Sequence, residues 1–232
     1  MTTWNLQALR DAVEKLHGSA QKEAISPSLS SVVQRMNFMS YYYQEAARLL
    51  ANATDSHTGS GAMARLLLGD DAASEQFKDA RFQATAHITS CVQNMHSLAD
   101  LLAHTVYFAL GMNLTPATRL ESRDIGMARV IKLLPIGPTH DLIKTLVEHD
   151  DFRFFSALNN HGKHRSIVDT PYSLDLEQDG QPHGLVFASF EYKGELFKER
   201  WAMHALKLEC ARQSLLIVEI GRSLNAALGA NG

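Results

Sequence analysis

Apolar residues recur at steps of three and four along most of this chain and at steps of two along one stretch, a pattern that predicts a mainly helical protein with a small strand region. A first helix is expected from Leu6, Leu9, Val13 and Leu16, closed by Gly18. Ser26-Pro27 reads as an N-cap and N1 pair opening a second helix with the stripe Val32, Met36, Met39, Tyr43, Ala46 and Leu50. From about 52 to 74 the pattern dissolves into Thr58-Gly59-Ser60-Gly61, a short Leu66-Leu67-Leu68 patch and Gly69-Asp70-Asp71, so this segment is expected to be a mobile loop. A long helix from about Ser74 to Gly111 follows, apolar on two faces in its second half and therefore central. Thr115-Pro116 repeats the start signature for a helix to about Leu134, Pro135-Ile136-Gly137-Pro138 stops it, and another helix should run from Thr139 to about His161.

Between Pro171 and Trp201 the period becomes two, through Tyr172, Leu174 and Leu176 and then Val186, Ala188, Phe190 and Tyr192. Gly180 and Pro182 punctuate the first gap, and Lys193-Gly194 suggests a tight turn pairing Val186–Tyr192 with Glu195–Trp201, in a hairpin outside the helical core. A last helix is expected from about Glu199 to Leu228, with Leu206, Cys210, Ile217 and Leu224 facing the core. The expected fold is thus a single helical-bundle domain over 1–232, with five to six helices and a small antiparallel β-hairpin or meander before the last helix.

Composition narrows the functional classes. The chain has 232 residues, 45% of them hydrophobic and 20% charged, as expected of a globular domain with a core that needs neither disulfide nor structural metal. Its 22 Lys and Arg against 25 Asp and Glu leave a net charge of -3, so attraction to a polyanion must come from a local patch. Cys91 and Cys210 lie far apart within helical patterns, a poor disulfide framework that fits a reducing cytoplasm, and neither looks like a nucleophile. The N-terminal residues carry no secretory pattern, and Leu98–Met112, interrupted by Asp100 and His104, is too short to span a bilayer, so no membrane partner is expected.

The basic segment from Arg153 to Arg165 holds the most informative chemistry. If the helix continues through Gly162, then Arg153, Ala157, Asn160 and His164 share one stripe, with Lys163 and Arg165 beside it, while Phe154, Phe155 and Leu158 point into the core. Arginine offers a fork of donors to phosphate, histidine moves protons near neutral pH, and asparagine orients either partner. If instead the helix ends at Gly162, the Lys163-His164-Arg165 run complements the helix dipole and nothing more.

The Asn160-x-x-Lys163-His164-Arg165 run, late in a helical bundle, resembles members of the HEPN superfamily, compact α-helical domains that include metal-independent ribonucleases and nucleotide-binding partners of toxin–antitoxin systems. The family motif is an Arg, often a polar residue, then roughly four to six residues and a His. Here Phe154 follows the arginine, seven residues separate Arg153 from His161 and ten separate it from His164. The resemblance implies a homodimer acting on RNA or a nucleotide without cofactor or metal. His164 would then transfer the proton, Arg153 or Arg165 would stabilise phosphate charge, and Asn160, His161 and Lys163 would bind substrate.

Two other readings compete. The helical faces could serve a non-catalytic interaction module. His96, Asp100 and His104, with His87 to one side, step by four along the long helix and could belong to a metal-dependent bundle enzyme, although each step rotates about 40° around the axis and a second helix would have to complete the ligand set. Tyr41-Tyr42-Tyr43 reads as boundary packing, and Asp150-Asp151 as a helix start.

Overall fold

A computed structural model describes residues 3–57, 59–174 and 183–229. The chain is 73% helical, and the described residues form eight α-helices: α1 Leu6–His17, α2 Ser19–Thr54, α3 Ser60–Leu68, α4 Ala72–Ala109, α5 Met127–Leu133, α6 Pro138–Glu148, α7 Asp150–His164 and α8 Ala202–Ala227. Five short strands precede α8: β1 Tyr172–Ser173, β2 Gly184–Phe187, β3 Phe190–Tyr192, β4 Glu195–Phe197 and β5 Arg200–Trp201. The mainly helical class with a small antiparallel meander before the last helix is therefore what forms. No helix among the described residues is long and apolar enough to cross a membrane.

Four departures from the sequence pattern have physical causes. First, Ser26-Pro27 does not open α2, which starts at Ser19 and holds Pro27 inside. Proline lacks the N–H that would bond to Glu23, a loss worth about 3 kcal/mol in a helix interior. The turns before it are held by the fully buried Ile25 and by Gln21, whose Nε2 donates to the Phe108 carbonyl at 2.6 Å and to Asn113 Oδ1 at 2.7 Å. Ser26 Oγ donates to the Lys22 carbonyl, and Ser28 Oγ to that of Ile25. Second, the expected loop over 52–74 contains α3, because Met63 and Leu66 bury themselves against Phe77. Gly59 stands at the N-cap of α3, and Thr58 lies outside the described residues.

Third, Thr115-Pro116 opens no helix. In a helix the Leu120 N–H would bond to the Pro116 carbonyl, but it donates to the Tyr107 hydroxyl at 2.7 Å, and regular helix resumes at Met127. Fourth, the helix expected over 139–161 is two, parted where His149 turns extended at φ -67° and ψ 139°.

The chain divides into two compact units. Unit 1 comprises Met1–Asn37, Asn94–Arg153 and Ala211–Gly232. Its core includes Leu9, Val13, Ile217 and Leu224, which the helical stripes predict, together with Leu29, Leu102, Val106 and Ile143, all fully buried. Gly221 of α8 lies against the Trp4 indole so closely that an added Cβ would overlap the ring. Gly221→Ala is accordingly expected to destabilise the protein by about 1–3 kcal/mol, the scale of overpacking, although alanine favours helix. A urea midpoint that rises instead would show that the indole does not hold this position.

Unit 2 comprises Phe38–Gln93 and Phe154–Cys210. Its strands follow the expected hairpin register: Phe190, Glu191 and Tyr192 pair with Phe197, Leu196 and Glu195, and Val186 and Phe187 pair with Trp201 and Arg200. Lys193 and Gly194 both take positive φ, 52° and 80°, as a two-residue type I′ turn requires. β1 adds to β2 through Tyr172 opposite Leu185, while Leu176, Gly180 and Pro182 lie outside the described residues. The hairpin is not outside the core as expected. Leu185, Phe187 and Phe190 are buried, and the ring of Phe154 on α7 meets those of Phe187, Phe190 and Phe197 at centroid distances of 5.9, 5.6 and 6.1 Å.

Candidate functional site

The C-terminal part of α7 is fixed in unit 2 by Phe154, Phe155 and Leu158, all buried as the sequence predicts. Gly162 does not end the helix. Its φ is not positive, and helix continues to His164, where the amides of Arg165 and Ser166 both donate to the His161 carbonyl at 2.9 and 3.2 Å. His161 is half-buried and closes this turn, with Nδ1 2.7 Å from the Ser166 carbonyl and its ring against Phe190. Lys163, His164 and Arg165 are all exposed, and Arg165 Nη1 donates to the Glu191 carbonyl at 3.3 Å.

The stripe of Arg153, Ala157, Asn160 and His164 does not present one wet face: Ala157 is buried and Asn160 is half-buried. Arg153 falls in unit 1, where its guanidinium stands 3.7 Å from the Asp150 carboxylate.

The face of α7 that borders a cavity is instead the one carrying Leu158, Asn159, Gly162 and Lys163, which encloses a space of about 260 Å³ together with Thr89 and Phe187 among others. Asn159 is 6% exposed, yet its Nδ2 has no hydrogen-bond partner among the described residues. Burying an unpaired amide donor costs on the order of 1–3 kcal/mol, and this Nδ2 is sealed off as well as unpaired, so it is a local strain on α7 and not a donor open to the cavity. Sequence reasoning centred on Asn160 and missed Asn159, one residue and about 100° away around the helix. The available signal was a polar side chain directly after the core-facing Leu158 and four residues after Phe155.

The other cavities carry less chemistry. One in unit 2, about 560 Å³, is walled by Tyr43, Tyr172, His183, Trp201 and His204, but the Tyr172 hydroxyl and His183 Nδ1 already pair at 2.6 Å, and burial pushes the Tyr172 phenol up to about 12. One in unit 1, about 430 Å³, is lined largely by apolar groups such as Leu110, Leu133 and Ile136.

The remaining candidates are placed as follows. Cys91 and Cys210, distant in sequence, bring their sulfurs to 3.8 Å of each other in unit 2. Both are free thiols, and the hydrogen bond between them, followed by burial, pushes the Cys210 thiol far up, away from nucleophilic character. Tyr41 and Tyr42 pack edge to face at 5.4 Å, with His87 beside them. In unit 1, His96 Nε2 stands 4.0 Å from Asp100, and His104, whose imidazole burial pushes down, packs on Phe108. Among the described residues these three do not bring their ligand atoms within 4.8 Å of one another.

No family model matches this chain, and neither a curated protein nor a solved structure matches it.

Proposed function

We propose that unit 2 binds a phosphate-bearing ligand, a single strand of RNA or a nucleotide, at the C-terminal end of α7, and that the chain is of HEPN-like type. The observation that carries this reading is the exposure of Lys163, His164 and Arg165 in succession on a helix that continues past Gly162. A helix C-terminus carries roughly half a negative charge, and these side chains reverse it locally. In a chain of net charge -3, such a patch is what a polyanion would find. On this reading His164 accepts the proton of a ribose 2′-hydroxyl as its oxygen attacks the adjacent phosphorus. The 5′-oxygen leaves and takes up a proton, giving a cyclic phosphate and a free 5′-hydroxyl, and Arg165 offsets the added charge on the phosphoryl oxygens. No metal is asked to activate the nucleophile.

Fluorescence anisotropy with a labelled pentaribonucleotide tests the binding step. Lys163→Ala and Arg165→Ala are each expected to weaken binding and to reduce the slope of log affinity against log salt by about 0.7, as when one single-strand phosphate contact is lost. An unchanged slope in both variants, or no binding by the parent protein at low salt, would remove the proposal.

The non-catalytic interaction module keeps one observation in its favour: His161 and Arg165 both make bonds that close the end of α7. It predicts that no RNA is cleaved at all. We also propose self-association, in keeping with the family resemblance; light scattering at micromolar concentration should report a dimer, and a monomer there would count against the ribonuclease reading.

A further inference from the structure

We propose that Cys91 and Cys210 form a redox modification site in unit 2: a hydroperoxide oxidises the partly exposed Cys210 thiol, and Cys91 closes a reversible disulfide onto it. Cys91 belongs to α4 and Cys210 to α8, and although 119 residues separate them in sequence their sulfurs stand 3.8 Å apart, in contact but not bonded. Bonding needs the pair to close by about 2 Å, a displacement on the scale of side-chain rotation rather than of helix movement.

The two thiols are not equivalent. Cys91 is fully buried and its S–H donates to the Met39 carbonyl on α2 at 3.4 Å, so Cys210 supplies the hydrogen shared between the sulfurs. Cys210 is only partly buried. A small oxidant therefore meets Cys210 first, while Cys91 is held where it can attack whatever forms there. Among the described residues no His, Asp or Glu ligand atom joins the two sulfurs in a cluster of three, which sets the pair apart from a thiolate metal site.

The chemistry has two steps. The Cys210 sulfur attacks one oxygen of the hydroperoxide, the O–O bond breaks, the other oxygen leaves as water or an alcohol after taking up the thiol proton, and Cys210 becomes a sulfenic acid. The Cys91 sulfur then attacks the Cys210 sulfur, the S–O bond breaks, and water leaves with the Cys91 proton as the disulfide forms. Two thiols thus lose two electrons, and the peroxide is reduced by the same two. The hydrogen bond to Cys91, and then burial, push the Cys210 thiol up and keep its thiolate scarce, so the oxidation is slow and the resting pair is reduced. A second thiol in contact is what halts oxidation at the reversible disulfide, short of a sulfinic acid. Once closed, the bond ties α4 to α8 across those 119 residues and restricts the unfolded chain more than the folded one.

The full chain is reduced, freed of reductant, exposed to millimolar hydrogen peroxide under native conditions, and then alkylated in denaturant for mass spectrometry. The parent protein should lose about 2 Da, take no alkyl group on either cysteine, and yield a cross-linked peptide pair holding Cys91 and Cys210, with both thiols restored by dithiothreitol. Cys91→Ala should stop at a Cys210 sulfenic acid that dimedone traps, and Cys210→Ala should leave Cys91 fully open to alkylation after denaturation. If either variant fails to fold, the parent protein alone decides. Full alkylation of both its cysteines, advance of Cys210 alone to a sulfinic acid, or disulfides joining two chains would each overturn the proposal. So would an equal yield of the Cys91–Cys210 bond from chain oxidised in denaturant, since the fold would then not be what brings the pair together.

Discussion

Phe154→Ala is expected to lower the stability of the protein by about 3–5 kcal/mol, the largest effect predicted for any single side chain here. The ring is fully buried and sits among Phe155, Phe187, Phe190 and Phe197, with ring centroids 5.3 to 6.1 Å away. The Arg200 guanidinium carbon lies 4.3 Å from its centroid. Alanine would leave a cavity between α7 and the hairpin that rigid aromatic neighbours cannot close, and would remove the face on which the cation rests. Domains of this size lose roughly 2–4 °C of melting temperature per kcal/mol, so a fall of about 6–20 °C should appear in a thermal scan. Phe82→Ala is the control: Phe82 is 75% exposed, and its loss should change stability by less than about 0.5 kcal/mol. Similar melting points for the two variants would mean that the hairpin is not packed on α7 as described.

The second large effect concerns chemistry. His164→Ala should slow RNA cleavage about a hundredfold, the scale of removing a general acid–base group, while the melting temperature stays close to the parent value because the side chain is exposed. Cleavage by the parent protein should persist in EDTA, since the proposed steps use only imidazole and guanidinium groups. Full loss of cleavage on chelation would transfer the argument to a metal-dependent enzyme. Intact cleavage in His164→Ala would remove this residue from the mechanism.

Gly162 shows how the candidate site was partly legible. Its place before Lys163-His164-Arg165 is compatible with either a helix end or a helix interior, because glycine takes both conformations at little steric cost. Asn159 was less visible. Spacing shows that it shares a face with Phe155 and Lys163, but not that this face borders a cavity, since the opposite wall comes from Thr89 and Val92 on α4 and from Phe187 on β2. The sulfurs of Cys91 and Cys210 illustrate the same limit, being 119 residues apart along the chain and 3.8 Å apart in the fold.

What the sequence by itself determined was local: the helical class, the stripes of Leu9, Val13, Leu206 and Leu224, the closure of α1 by Gly18, and the Lys193-Gly194 hairpin with its register. In each, the residues that decide the conformation lie within a few positions of one another, so periodicity and turn chemistry suffice. Tertiary structure alone decided that Pro27 stays inside α2, that Met63 and Leu66 make a helix of an apparent loop, and that the Tyr107 hydroxyl takes the Leu120 amide out of a helix. It also placed the hairpin against Phe154 and left Asn159 unpaired beside a cavity. Those outcomes depend on partners far away in the chain, whose burial and hydrogen bonds outweigh local preferences of about 1–3 kcal/mol.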